Sequence, residues 1–170
     1  MNNCVFLDRD GVLNEELGFQ ITSFDQFKIK DGIADGLKAL KSAGFLLVVV
    51  TNQSGIAKGH YTADFVLQCH EAIQKMSDAA LDDIYFAPGY DSVSKTLSRK
   101  PQSLMFERAI AKHTVDVGQS WMIGDRESDM IPAKKMGLQT IQIAKGEASE
   151  LADHVAFNFK QAVECILAKD

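Results

Sequence analysis

Four clusters of polar residues stand at or just beyond the ends of short apolar runs, and their side chains suit transfer of a phosphoryl group. In chain order they are Asp8-Arg9-Asp10-Gly11, Thr51-Asn52, Arg99-Lys100 at the predicted start of the third helix, and Gly124-Asp125 with Asp129. Two acids as close as Asp8 and Asp10 repel each other unless a cation or a proton lies between them. Carboxylate and carbonyl oxygens are the ligands that magnesium prefers, and Asp125 could complete such a set. A lysine, a hydroxyl and backbone N–H groups would then hold a phosphoryl group, so the clusters predict a phosphoryl-transfer site.

The elements that must position these clusters are the strands of a parallel sheet. Short β-branched runs alternate with helical stretches, and this rhythm predicts a doubly wound α/β domain with helices on both faces of a mostly parallel sheet. Ligands of such sheets bind in loops past the carboxyl ends of the strands, which is where the clusters stand. The predicted strands are Cys4–Leu7 and residues 45–50, 84–87, 121–123 and 140–143.

Helices are predicted between and after these strands. Ile33, Leu37 and Leu40 recur at helical spacing and stop at Gly44, and Thr62 is a predicted N-cap for the next helix. The remaining helices are predicted to carry Leu104, Ala109 and Ile110, to run over 129–136, and to run over 161–167. Segments 14–30 and 88–98 fit neither pattern and are expected to be loops near the ligand.

Composition narrows the class of protein. The chain has 170 residues, 46% hydrophobic and 24% charged, which predicts one globular domain over residues 1–170. Its net charge of -5 disfavours binding to a nucleic-acid backbone, and the longest purely apolar run, 45–50, is too short to cross a bilayer.

Three cysteines without a C-x-x-C motif, and no secretory leader pattern, predict a reduced, cytoplasmic location. We expect a monomer or small homo-oligomer that acts on a small phosphorylated metabolite.

The ordered set of clusters resembles the haloacid dehalogenase-like (HAD) phosphohydrolases, across nearly the whole chain. Residues 8–14, Asp-Arg-Asp-Gly-Val-Leu-Asn, resemble the first motif of that family, residues 49–52 the second, Lys100 the third, and residues 124–129 the fourth. Thr-Asn-Gln-Ser-Gly at 51–55 and Arg-Lys-Pro at 99–101 are similar to the branch that holds D-glycero-D-manno-heptose bisphosphate phosphatase and histidinol-phosphate phosphatase. The resemblance implies a HAD-like fold without a large cap domain.

The resemblance also implies roles for individual residues. Asp8 would attack phosphorus to form an aspartyl-phosphate intermediate, and Asp10 would act as general acid and then as general base. The implied phosphate-binding residues are Thr51, Asn52 and Lys100, the substrate-binding residues Arg9, Gln53, Ser54 and Arg99, and the magnesium ligands Asp8, Asp10, Asp125 and Asp129. The expected substrate is a sugar phosphate such as D-glycero-D-manno-heptose bisphosphate, and histidinol phosphate is the alternative.

The chain departs from this branch in one loop. Many members hold a structural zinc there, in a loop of cysteines and a histidine that precedes the Arg-Lys-Pro. Residues 88–98 contain no Cys and no His, so we expect magnesium and no structural zinc. Packing of Pro88, Tyr90 and Leu97 is expected to hold the loop instead.

Three other classes of protein share part of this pattern. A phospho-receiver domain would carry its phosphorylated acid at the tip of the third strand, but residues 84–87 end in Pro88 and Gly89. A polynucleotide end phosphatase should show a basic stripe with stacking aromatic residues, which the acidic balance disfavours. A catalytically silent scaffold is disfavoured by the intact set of Asp8, Asp10, Lys100 and Asp125.

Overall fold

Parallel strands form one six-stranded sheet in the structure, a computed structural model that describes residues 1–93 and 95–169. The strands are β1 (Cys4–Leu7), β2 (Leu46–Asn52), β3 (Asp83–Ala87), β4 (Trp121–Gly124), β5 (Gln139–Ile143) and β6 (His154–Ala156). Their spatial order is β3-β2-β1-β4-β5-β6, and every neighbouring pair is parallel. The predicted fold class is therefore confirmed. Ser94, part of the predicted 88–98 loop, lies outside the described residues.

The two faces of the sheet are both buried because side chains alternate along each strand. On β1, Val5 and Leu7 belong to one apolar cluster, whereas Cys4 and Phe6 belong to the other. All four side chains are inaccessible to solvent. This two-sided burial explains why the strands read as continuous apolar runs in the sequence.

Five α-helices cover these faces in the described part of the chain. They are α1 (Ile33–Ser42), α2 (Ala63–Met76), α3 (Leu104–His113), α4 (Glu127–Met136) and α5 (Phe159–Leu167). The predicted N-cap is confirmed, since the Thr62 side chain accepts a hydrogen bond from the Phe65 N–H at 3.3 Å. Gly137 ends α4 with φ of 88°, a conformation that favours glycine. None of the helices described over 1–93 and 95–169 is long and apolar enough to span a bilayer.

The sequence prediction missed β6 and misplaced one cluster relative to a helix. β6 has only three residues, and Val155 at its centre is 54% exposed at the edge of the sheet, so no apolar run marks it. Arg99 and Lys100 were predicted at the start of the third helix, but α3 begins at Leu104. The two cations therefore lie in the connection that precedes α3.

The strand order determines where the polar clusters meet. β1 lies at the centre of the sheet, between β2 and β4. The chain adds β2 and β3 on one side of β1, and then adds β4, β5 and β6 on the other side. A crevice at the carboxyl ends of the strands is expected at such a reversal. Asp8, Thr51 and Asp125 stand at the tips of these three strands and are brought to that crevice.

Candidate active site

A cleft of about 510 Å³ opens at the carboxyl end of the sheet. Its walls come from the loop that follows β1, the loops that follow β2 and β3, and the first residues after β4. The predicted residues that line it are Asp8, Arg9, Asp10, Thr51, Asn52, Gln53, Ser54, Arg99 and Lys100. Asp125 and Asp129 lie beside Asp8 at the bottom of this cleft.

Three carboxylates and one ammonium group form the floor of the cleft. Asp8, Asp125 and Asp129 each place one oxygen within 4.8 Å of the others. Lys100 Nζ lies 3.0 Å from Asp8 Oδ1 and 2.5 Å from Asp129 Oδ1, and it donates to the Val50 carbonyl oxygen at 2.7 Å. Lys100 and Asp129 are fully buried, so these charges interact with little screening by water.

Two glycines allow the carboxylates to approach this closely. Gly11 has φ of 84°, and a Cβ atom at this position would overlap the Asp125 carboxylate. A Cβ atom on Gly124 would overlap the side chain of Asp129. Asp129 also accepts a hydrogen bond from the Arg126 N–H at 3.1 Å, which places it in the first turn of α4. The glycines in the first and fourth clusters are therefore required by the shape of the floor.

The electrostatics of the floor favour a cation. Burial, together with the neighbouring carboxylates, raises the pKa of Asp8 to about 7, although Lys100 opposes this shift. Burial and Asp129 likewise raise the pKa of Asp125 to about 6. Asp125 Oδ1 is buried and accepts no hydrogen bond from the described residues. A hard divalent cation such as magnesium would satisfy that oxygen and offset the repulsion, so this set of oxygens fits it.

Asp10 lies outside the group formed by Asp8, Asp125 and Asp129, and its role as a magnesium ligand stays a prediction. Its oxygens accept hydrogen bonds from Arg9 Nη2 at 2.8 Å, Asn14 Nδ2 at 3.0 Å and Gln53 Nε2 at 2.8 Å. Burial alone would raise the pKa of Asp10, but Arg9, Asn14 and Gln53 lower it below its ordinary value. These donors favour the ionised carboxylate and hold it by hydrogen bonds on several sides.

Arg9 and Gln53 were predicted to bind substrate, and in the structure their side chains are bonded to Asp10 and to each other. The Arg9 guanidinium is 2% exposed and is bonded to Asp10 and Gln53. Gln53 Nε2 donates to Asp10 and to Thr51 Oγ1, and its Oε1 accepts from Arg9 and from Tyr61 Oη. The amide group of Gln53 is bonded on both sides and positions Asp10, and substrate binding by Arg9 and Gln53 stays a prediction.

Thr51 and Asn52, predicted to bind phosphate, differ in what they offer. Thr51 Oγ1 accepts a hydrogen bond from Gln53 at 3.0 Å, so its hydroxyl hydrogen can be donated toward the cleft. The Asn52 side chain instead bonds the main chain of Lys100 in both directions, at 2.9 and 3.0 Å. Asn52 therefore positions Lys100, and the contact of its side chain with phosphate stays a prediction.

The rim of the cleft is built from loops. Ser54 Oγ accepts a hydrogen bond from Gln20 Nε2 at 3.2 Å, which links the 14–30 segment to the loop after β2. Arg99 Nε lies 3.9 Å from the carboxylate of the exposed Asp91. Leu97 is 70% exposed, and Pro88 is exposed as well, so the prediction that they pack to hold the 88–98 loop is wrong.

Sequence reasoning missed several residues of the rim. Lys58, Tyr61, Tyr90 and Arg126 all line the cleft, and Arg126 pairs with Glu16 at 2.9 Å. Arg126 could have been found because it follows Asp125 in the fourth cluster. Lys58 and Tyr61 carried no such signal, since their places depend on how the loop after β2 turns back toward β3.

The arrangement can polarise and attack an anionic substrate. Asp8 Oδ1 accepts from the Arg9 N–H at 2.7 Å and faces Lys100, whereas its Oδ2 accepts no hydrogen bond within the described residues. That oxygen is available as a nucleophile. The ammonium of Lys100 and the hydroxyl of Thr51 can both contact oxygens of a phosphoryl group.

The chain is similar in sequence to proteins that are named as phosphatases. A D-glycero-beta-D-manno-heptose-1,7-bisphosphate 7-phosphatase from Haemophilus influenzae is 40% identical over 169 residues, which covers 91% of each chain. The histidine biosynthesis bifunctional protein HisB from Legionella pneumophila is 30% identical and matches 93% of this chain but 46% of its own length. A HAD-hydrolase-like family model matches residues 97–164.

The fold has close structural neighbours. The crystal structure of D,D-heptose 1,7-bisphosphate phosphatase from B. bronchiseptica, complexed with magnesium and phosphate, aligns with a TM-score of 0.87. The alignment covers 99% of both chains, and the two sequences are 24% identical. At this identity the neighbour supports the fold alone.

Proposed function

The chain belongs to the haloacid dehalogenase-like phosphohydrolases and is a phosphoric monoester hydrolase, and on this premise we propose which ester it cleaves and how. The proposed substrate is D-glycero-D-manno-heptose 1,7-bisphosphate, from which the 7-phosphate is removed. The proposed route is a magnesium-dependent transfer through an aspartyl phosphate on Asp8.

The observation that carries the mechanism is the buried group of Asp8, Asp125 and Asp129 with Lys100 among them. Three crowded carboxylates with one lysine leave a net negative site, which a cation must balance before a phosphate dianion can approach. Asp8, Asp125 and the buried Asp129 are the residues that would hold magnesium. When bound, the metal would supply charge neutralisation for the phosphoryl oxygens.

In the first step, Asp8 Oδ2 forms a bond to phosphorus while the bond from phosphorus to the sugar oxygen breaks. Asp10 donates a proton to that sugar oxygen, which leaves as a hydroxyl group. Lys100 contacts the transferring oxygens and favours ionised Asp8, since its own pKa is raised by Asp129 and Asp8 despite its burial.

In the second step, water attacks phosphorus and the bond to Asp8 breaks, which releases inorganic phosphate. Asp10, now ionised, accepts the proton of that water.

Asp10 must leave Arg9 and Gln53 to reach the ester in the first step. A phosphate dianion nearby and the loss of the Arg9 contact both raise the pKa of Asp10, so the proton is available when it is needed.

The heptose bisphosphate assignment rests on the relatives and on the cations of the rim. The relative from Haemophilus influenzae, 40% identical over nearly its whole length, is named a heptose-1,7-bisphosphate 7-phosphatase. Lys58 and Arg99 line the cleft beside the same Tyr90 ring, where a second phosphate of a bisphosphate would find opposite charge. Histidinol phosphate carries an ammonium group instead, which two cations would repel.

The test is a set of phosphate esters assayed with magnesium, in which kcat/KM is measured for each. We expect the highest value for heptose 1,7-bisphosphate, with release of one phosphate and heptose 1-phosphate as product. A higher value for histidinol phosphate would replace the proposed substrate. Activity on no phosphate ester would contradict the mechanism as well.

A further inference from the structure

We propose that Tyr90 is a specificity-determining positioning residue, whose ring holds Lys58 and Arg99 together as a site for the second, non-reacting phosphate. This inference rests on the proposed function, because a bisphosphate substrate is what gives the second phosphate. It adds a role for the aromatic ring, which itself contacts no reacting atom.

The geometry brings three loops to one ring. Lys58 Nζ lies 3.9 Å from the centroid of the Tyr90 ring, and Arg99 Cζ lies 5.6 Å from it. Lys58 belongs to the loop after β2, Tyr90 to the loop after β3, and Arg99 to the connection before α3. All three residues line the cleft.

The Tyr90 ring attracts Lys58 and Arg99 without neutralising their charges, which an ion pair does not do. Arg99 has a long contact of 3.5 Å to the Gly89 carbonyl oxygen and a 3.9 Å approach to Asp91, whose side chain is 71% exposed. Exposed ion pairs of this kind contribute little to holding a conformation. An aromatic face attracts cations without neutralising them. Lys58 and Arg99 can therefore lie on one ring and still present their full charges to an anion.

The anion that fits is a phosphate dianion. Two like charges beside one ring repel each other, and a doubly charged group between them would relieve that repulsion. Arg and Lys are both good phosphate donors, Arg through its planar fork and Lys as a point charge. A neutral sugar hydroxyl would leave both charges unbalanced.

The Tyr90 ring, and not its hydroxyl, is the active part of this arrangement. Among the described residues, none forms a hydrogen bond with the Tyr90 hydroxyl, whereas Tyr61 and Tyr85 use theirs. Tyr90→Phe should therefore preserve the proposed role of the ring, whereas Tyr90→Leu should abolish it. This difference separates a role of the aromatic face from a general effect on the loop.

The experiment compares heptose 1,7-bisphosphate with heptose 7-phosphate, which carries the same reacting phosphate but lacks the second one. For Tyr90→Leu we expect kcat/KM for the bisphosphate to fall roughly fivefold through KM, and that for the monophosphate to change by less than about twofold. Tyr90→Phe should restore the preference for the bisphosphate. An equal loss on both substrates, or a loss as large in Tyr90→Phe, would overturn the inference.

A matched control comes from a second aromatic ring that faces a cation. Arg108 Cζ lies 5.7 Å from the centroid of the Tyr85 ring, and neither residue lines the cleft. Tyr85→Leu should leave the ratio of the two kcat/KM values as in wild type. If wild type itself does not prefer the bisphosphate, the proposed substrate fails and the inference with it. If wild type prefers it and Tyr90→Leu keeps that preference, the inference alone fails.

Discussion

The floor and the rim of the cleft are built on opposite physical principles. At the floor, Lys100 and Asp129 are fully buried. Asp8 and Asp125 follow β1 and β4, Asp129 lies in the first turn of α4, and Lys100 is bonded to β2. At the rim, Arg99 and Lys58 come from loops, and Arg99 is half-buried whereas Lys58 is exposed. A reaction that needs fixed charges takes place on the sheet, while the parts that distinguish one substrate from another stand on loops.

This contrast separates two kinds of variant. Substitutions at the floor should abolish turnover on every phosphate ester, because they remove groups that act on phosphorus itself. Substitutions at the rim should change the relative preference for substrates and leave the chemical step in place. The predictions below test that division, from the floor outward.

The largest effect is expected for the nucleophile. Asp8→Asn should lower kcat by more than about a hundredfold, because an amide oxygen is a poor nucleophile toward phosphorus. Circular dichroism should show an unchanged fold. Asp35→Asn, an exposed acid on α1, is the control and should retain wild-type turnover. Turnover above about a hundredth of wild type in Asp8→Asn would reject the nucleophile assignment.

The second largest effect on activity is expected for removal of the metal. Treatment with EDTA should abolish activity, and magnesium alone should restore it, because the crowded carboxylates need a cation to accept a phosphate dianion. Magnesium should also raise the melting temperature of the protein, and this shift should be lost in Asp125→Asn. Stoichiometric zinc by elemental analysis, or a requirement for zinc, would contradict the prediction of magnesium without structural zinc.

Lys100 should matter both for catalysis and for stability. Lys100→Ala leaves Asp8 and Asp129 buried without their cation, which costs about 3 to 5 kcal/mol in the free energy of unfolding. The same change should lower kcat/KM by about a hundredfold or more. Urea unfolding and steady-state kinetics measure the two effects. The control is Lys41→Ala at the partly exposed pair with Asp82, where a change within about 1 kcal/mol is expected.

A smaller, selective effect is expected at Arg99. Arg99→Met should raise KM for heptose 1,7-bisphosphate by roughly tenfold and leave kcat nearly constant, because it removes one charge from the wall of the cleft. Heptose 7-phosphate serves as the comparison substrate in the same preparation. An equal loss on both substrates would move Arg99 from the rim to the general machinery.

The sequence predicted the floor of the cleft better than its rim, because the acidic residues of the floor are placed by the strands that directly precede them. Asp8 and Asp125 follow directly on strands β1 and β4, so an apolar run fixes each position and a parallel sheet brings the tips together. The resemblance to haloacid dehalogenase-like phosphohydrolases is confirmed by the relatives. The catalytic roles of these residues stay predictions.

The sequence did not show which neighbouring side chains several of the predicted site residues contact. Asn52, Gln53 and Arg9 stand in the expected motifs, but each satisfies a neighbouring residue of the protein before any substrate. Such competition cannot be read from residue order, because Gln53 meets Tyr61 and Arg9 only after two loops fold. For the same reason Lys58 was missed and Tyr90 was predicted only to pack in the 88–98 loop.

The most direct measurement of the central claim is to trap the phosphorylated enzyme. Wild-type protein is mixed with magnesium and heptose 1,7-bisphosphate, quenched in acid within the first turnover, and reduced with borohydride, which converts an aspartyl phosphate to homoserine. Peptide mass spectrometry should find homoserine at position 8 and nowhere else, and none without substrate. Rapid phosphate release with an unmodified Asp8, or a reduced residue at another position, would contradict attack by Asp8.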